Sequence, residues 1–425
     1  MFEKILRIFH IKDLRKKIFF VLAILAISRL IAAIPIPGID AEKLQSFFSG
    51  NQFFGMINVF TGGAMSRMSI AMLGLGPFIT ATIIMQLLTM IFPRLKEMYQ
   101  EAGDKGREKF NQYARIATVP LAMVQAFGFL NLLQKQDVIG NLSSLDLLTN
   151  IITITAGALL LMWLGELITQ KGIGNGVSLL IFAGIVGRVP MQLGQTITTW
   201  DSTAIFSYIV FIAISLVVIS GVVFITEGQK NIPISYAKRI RGHRMYGGAS
   251  TFLPLRINQA GVIPIIFAIS VLLLPGMIAT FLSGASNPTL VHFANSLNNV
   301  FQNKSFYTIT YFILVVAFTY FYTAVTFDPK NVAENLQKSG GFIPGIRPGD
   351  NTSRYIAYIL NRITLVGAMF LGLIAILPMI VQGLTKVSTF GFMIGGTALL
   401  IVVSVVLETM KQINAQLVMR DYETF

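Results

Sequence analysis

The chain has 425 residues, 54% of them hydrophobic and only 12% charged, with a mean hydropathy of +0.69. Soluble domains carry about 25% charged residues, so the composition excludes a protein whose surface mostly faces water. The formal net charge of +14 lies between apolar runs, which assigns it to basic loops of a membrane protein and not to nucleic-acid contact, and the lack of cysteine excludes disulfides, thiol catalysis and thiolate metal sites.

The chain opens on a basic amphipathic segment carrying Lys4, Arg7, Lys12, Arg15, Lys16 and Lys17. The first apolar stretch follows, with no small-residue cleavage site after it. It runs instead into the turn at Pro35, Ile36, Pro37 and Gly38, and so reads as a retained helix. A hydrocarbon core about 30 Å thick takes roughly 20 apolar residues per helix. On that measure the apolar runs predict spans over 18–36, 71–92, 115–134, 151–170, 176–194, 204–226, 257–282, 306–327, 362–383 and 389–408. The second is interrupted by Gly74, Gly76 and Pro77, and the fifth by Gly184 and Gly187.

Between the first two spans, 38–70 is semi-apolar through Phe53, Phe54, Met56, Ile57, Val59 and Phe60, then small and flexible, then carries Arg67. It is too short to span. A short helix folded back toward the bilayer and an ordinary outer loop both fit. Two later segments exceed what a hairpin needs: 227–256, with Lys230, Lys238, Arg239, Arg241, Arg244 and Arg256, and 328–361, punctuated by Gly and Pro. Positive charge alone would fix topology. The length of the loops points further, to a basic docking surface for an acidic protein face or for RNA phosphates.

Twenty-six of the thirty-three Lys and Arg residues fall on one side of this arrangement and five on the other; Arg29 and Arg188 lie in or at the ends of spans. The bias puts both termini in the cytoplasm, as an even number of spans requires. Two halves of five spans, 1–195 and 196–425, then enter the membrane from opposite faces, the arrangement of inverted repeats with a site between them. His10, His243 and His292 all lie outside the spans, and no His-Glu-x-x-His, Gly-x-Ser-x-Gly or P-loop motif occurs. Glu166, Glu227 and Glu408 sit near cytoplasmic span ends, where packing or snorkelling accounts for them. The sequence thus lacks parts for hydrolysing ATP and the charged pathway of many ion-coupled transporters. A small-solute secondary transporter would need deep paired carboxylates. An intramembrane enzyme would need a nucleophile–base or metal-ligand set.

Four segments carry a resemblance: GGAMSRMSIAMLGLGPFITATIIMQLL at 62–88, KGIGNGVSLLIFAGI at 171–185, AGVIPIIFA at 260–268 and GFIPGIRPG at 341–349. In this order over ten predicted spans they resemble the SecY/Sec61-alpha family, central subunits of protein-conducting channels. The resemblance implies an all-α integral membrane protein with ten transmembrane helices in two inverted five-helix halves around an hourglass pore. It implies no enzymatic activity and no cofactor. Its waist would be an apolar ring of Leu75, Ile79, Val177, Ile181, Ile266 and Ile401. The pairs Leu75/Ile79 and Val177/Ile181 are spaced i, i+4 and so share a helix face. A plug near 55–70 would include Phe60, Gly62, Gly63 and Arg67. A lateral gate between spans two and three and spans seven and eight would carry Thr80, Gln86 and Asn258, polar groups that also suit simple helix adhesion. Lys238, Arg239, Arg241, Arg244 and Arg347 would dock a motor or ribosome. The partners implied are SecE, SecG, SecA, the translating ribosome, a signal-sequence-bearing polypeptide and membrane lipid, at a bacterial plasma membrane.

Overall fold

In the computed structural model the apolar stretches form helices that pack into a single bundle, with a small sheet on one end. The structure describes residues 10–36, 58, 61–100, 103–135, 138–140, 143–198, 205–236, 239–241, 244–246, 250–282, 288–385 and 396–423. Helix α1 covers Lys12–Ile31, α2 Gly76–Ile91, α3 Pro93–Gln100, α4 Gly103–Lys135, α5 Ser144–Lys171, α6 Gly176–Val186 and α7 Val189–Thr198. Then follow α8, Ile205–Glu227; strands β1, Gln229–Tyr236, β2, Arg239–Arg241, β3, Arg244–Tyr246, and β4, Ser250–Arg256; α9, Ile263–Leu282; α10, Pro288–Gln302; α11, Lys304–Thr326; α12, Pro329–Lys338; β5, Gly341–Phe342; α13, Asp350–Thr385; and α14, Gly396–Glu423.

Each predicted span coincides with helix, but the ends differ for local reasons. Proline at the start of α2 and side-chain caps at Ser143, Asn175 and Asn303 set four N-termini. The second span loses 71–75, which forms turns, and α2 breaks from α3 at Phe92 with a bend of 117°, where Pro93 cannot continue the ladder. The fifth predicted span is split into α6 and α7 around Gly187 and Arg188. Stretches in α4, α5, α11, α13 and α14 are long and apolar enough to cross a membrane, and the bent α2–α3 pair makes a sixth. The first part of the predicted tenth span, 389–395, lies outside the described residues.

The largest correction concerns the loops. The stretch 227–256 is a hairpin, with β1 paired antiparallel to β4 from Gln229↔Arg256 to Ser235↔Ser250. The stretch 328–361 is not a separate loop. It supplies α12, β5 and the first turns of α13, and β5 adds to the far edge of β1 to give the sheet order β4-β1-β5. Ile232, Leu255, Ile343 and Ile356 are all buried in a small core beneath this sheet. The alternation Ile232, Ile234 with polar neighbours is a strand period of two, masked in the sequence by Pro233 and the surrounding charges. Ile232→Ala is expected to cost this unit about 2–5 kcal/mol, measured as faster protease nicking within 229–256 while the helical core stays resistant.

The bundle core joins both halves of the chain. Helices α2 and α4 pack against α9, and α6 packs against α14. On the α14 side the contact is tied: Gly174 N donates to Gln412 Oε1 at 2.8 Å, beside a cluster of Leu14 and Ile173 with Ile11, Ile18, Ile413 and Leu417. Close approach between α5 and α6 depends on glycine. A Cβ at Gly176 would overlap Gly165 O, and one at Gly157 would overlap Ile70 O.

Candidate functional site

Each of the six residues read as a ring lies in one hydrophobic cluster, the largest of the core. Leu75, Ile181 and Ile401 are buried members, at 7%, 4% and 0% exposure, and Ile79, Val177 and Ile266 pack against it partly exposed. They reach it from α2, α6, α9 and α14, and so from both halves. Leu75 caps α2 and its carbonyl accepts from Ile79 N at 3.0 Å, which sets the pair one turn apart. The Gly165–Gly176 approach brings α6 close to α5, with Val177 against Gly165. Side chains with no polar atom, drawn from four elements, can close a bundle interior without offering hydrogen bonds to whatever passes, and a narrow apolar constriction dewets.

Of the plug residues, Phe60 lies outside the described residues, as do 55–57 and 59. The remainder, 58 and 61–70, is turn-rich and well anchored. Ile36 N donates to Met68 O at 2.8 Å and Ile70 N to Ile34 O at 3.0 Å. Asn58 Oδ1 accepts from Ser66 N at 3.0 Å, and Met65, Met68 and Met72 are buried with Leu130 and Leu133 of α4. Gly62 and Gly63 have φ of +66 and +85, a backbone that other residues rarely adopt. Gly62 lies so close to Arg29 and Gly184 that a side chain there would collide with both. Arg67 is exposed.

Thr80, Gln86 and Asn258 are all buried, at 6%, 7% and 6% exposure. Thr80 Oγ1 donates back to Gly76 O at 3.0 Å, while Gln86 Oε1 and Asn258 Oδ1 have no hydrogen-bond partner. Gln259 Oε1 is unpaired as well. The sequence reading did not single it out, although an Asn-Gln pair heading an apolar run was visible. Unpaired buried oxygens weaken the packing of the segments that carry them. Gln86→Leu is therefore expected to tighten α2 packing by about 1–3 kcal/mol, measured as a higher unfolding temperature in detergent.

Of the basic residues read as a docking surface, Lys238 lies outside the described residues. Arg239 and Arg241 sit on β2 and Arg244 on β3, with Arg241 opposite Arg244 in register. Arg347 is exposed on the turn that follows β5, and its carbonyl accepts from Thr352 Oγ1 at 3.0 Å. Two segments far apart in sequence thus place Arg347 and the basic hairpin on one folded unit. The acidic groups near span ends are accounted for differently: Glu166 is ion-paired with Arg115, and Glu227 with Lys411 at 2.8 Å.

An apolar cluster fed by both halves, buried polar groups left unpaired and a small sheet at one end of the bundle together define a polytopic helical membrane protein. A SecY family model matches residues 69–410. The protein translocase subunit SecY of Corynebacterium glutamicum is 43% identical over 99% of this chain and 98% of its own length. That of Streptomyces galbus is 44% identical with the same coverage, and that of Mycobacterium tuberculosis H37Rv 43% identical over 97% of both. The chain belongs to the SecY family. Among solved structures, one described as a protein conducting channel aligns with a TM-score of 0.64 at 20% identity, over 93% of this chain and 91% of that one. Sec61 in a canine ribosome–channel complex from the endoplasmic reticulum aligns with a TM-score of 0.61 at 20% identity and the same coverage.

Proposed function

We propose that this chain is the channel-forming subunit of a protein translocase, passing unfolded secretory polypeptides across the membrane and releasing apolar segments sideways into lipid. The observation that carries this reading is identity above 40% to named translocase subunits along nearly the whole chain. In this reading ten helices, five in 1–195 and five in 196–425, surround an hourglass pore. Leu75, Ile79, Val177, Ile181, Ile266 and Ile401 form its waist; Phe60, Gly62, Gly63 and Arg67 belong to the plug; Thr80, Gln86 and Asn258 line the lateral gate. The basic sheet, with Lys238, Arg239, Arg241, Arg244 and Arg347, receives SecA or the ribosome, which supply the energy, and SecE and SecG complete the complex. The protein resides in a bacterial plasma membrane with both termini in the cytoplasm, and it performs no catalysis itself.

The ion pairs of Glu166 and Glu227 support the channel reading over an ion-coupled transporter, because they occupy carboxylates such a mechanism would need free. The test is site-specific photocrosslinking from positions 79, 181 and 401, with Val217 of α8, 72% exposed, as the lipid-facing control. A stalled secretory chain should crosslink to all three and not to position 217. Labelling at 217 alone would defeat the proposal.

A further inference from the structure

Helix α10, Pro288–Gln302, carries no charged residue, and its side chains sort onto three faces. It packs against α9 and α11. Ala294 is buried, with Val291 and Phe301 half-buried on the same side, and the Phe301 ring stands edge-on to Phe306 of α11 at 5.5 Å. His292 and Asn299 are exposed and, at about 100° per residue, lie roughly opposite. The third face is apolar and uncovered. Leu290, Phe293 and Val300 are 40%, 56% and 45% exposed. With Leu297 they recur at i, i+3, i+7 and i+10, one stripe of a helix. Apolar side chains exposed singly are ordinary; a stripe of them on an uncharged helix is not.

The place of α10 in the fold says what covers that stripe. α11 begins at Lys304, immediately behind its Asn303 cap and two residues past the end of α10. α11 is long and apolar enough to cross a membrane. A spanning helix starts at the surface of the hydrocarbon core, so α10 lies at that surface too. This is the end of the bundle away from the sheet, because α11 rises about 34 Å before it passes into α12 and β5. Phe306, Ile309 and Ile313 are exposed along the first turns of α11, so apolar surface continues from the span onto α10 around the corner. Such a strip matches the boundary between acyl chains and headgroups, which takes an amphipathic helix about 5–10 Å deep. A water-soluble partner would meet a surface that runs on into hydrocarbon.

We propose that α10 is an interfacial helix lying in the lipid surface, with Leu290, Phe293 and Val300 among acyl chains and His292 and Asn299 toward water, so that lipid holds the corner between α9 and α11 at a fixed depth. The inference goes beyond the translocase reading and stands or falls without it. Where that reading holds, α9 and α11 belong to one side of the lateral gate, and that side moves with a lipid-gripped helix attached to its end.

The test uses the full-length protein as isolated from membranes, reconstituted in vesicles of phosphatidylethanolamine and phosphatidylglycerol. The chain has no cysteine, so Phe293→Cys, Val300→Cys and Asn299→Cys each take a single fluorescent label, and all three positions are exposed. A lipid bearing a nitroxide high on its acyl chain should quench the labels at 293 and 300 several-fold more than the label at 299. Iodide in the water should give the reverse order. Adding Leu290→Ser and Phe293→Ser to Val300→Cys should lower lipid quenching at 300 several-fold. Iodide quenching at 293 and 300 as strong as at 299 would show a water-facing edge and overturn the proposal. Protection from both quenchers would show a protein covering the stripe, a second copy or a partner, and overturn it equally. Lipid quenching at 300 unchanged by the two serines would show that the stripe does not hold the helix in lipid, which also defeats it.

Discussion

Replacing Ile79, Ile181 and Ile401 together by serine is expected to give a bundle that leaks ions and exports substrates with defective signal sequences. Ile181 and Ile401 are buried at 4% and 0% exposure, in a cluster that Ile79 packs against. Each exchange removes a branched apolar group worth about 1.5–3 kcal/mol of burial and leaves a hydroxyl that holds water. In the proposed channel, three such changes at one constriction replace a dewetting contact with a hydrated one. Single-channel conductance and export of a signal-defective substrate measure the result. Wild-type values in both would mean that the six residues are ordinary core and that closure lies elsewhere.

Gly176→Ala is expected to be nearly as damaging, without touching the interior surface. Its new Cβ would overlap Gly165 O and crowd Ile168, so α6 would have to move off α5. Backbone carbonyls do not yield as a flexible side chain does, and overpacking typically costs 1–3 kcal/mol, occasionally more. Because Val177 and Ile181 ride on α6, their displacement should lower export together with stability. The comparison is with Gly194→Ala, where an added Cβ meets nothing within 4 Å. Equal thermal stability and equal export for the two variants would show that α6 is not held by this approach.

The helical bundle was legible in the sequence because the bilayer allows little else: an apolar run of about 20 residues must satisfy its own backbone. Two interruptions were legible too, since Gly74 and Gly187 mark where a helix starts late or splits, whereas the bend at Pro93 lies just past the predicted end of the second span. Burial of Leu75, Ile181 and Ile401 could not be read from composition, because an isoleucine facing lipid and one facing a partner helix look alike; the family resemblance singled them out. The sheet escaped notice for a different reason. β1 pairs with β5 across more than a hundred residues, a long-range pairing that no local pattern reports, and a proline such as Pro233 is a poor strand signal. Arg29 and Arg188 were visible as charges at span ends, but their convergence on Gly62 and Gly63 depends on how the chain doubles back after Pro35.

Two of the places where the halves meet are unequal. Around Gly174 and Gln412 a hydrogen bond and a knot of aliphatic side chains bind the turn between α5 and α6 to α14. On α2 and in the segment leading into α9, Gln86 and Asn258 are left with unsatisfied oxygens. In the channel proposed above, a book bound along one edge opens along the other, and the Gly174 contact is the binding. Cutting the stitch with Gln412→Ala should therefore alter how far the covers part without changing which edge parts first.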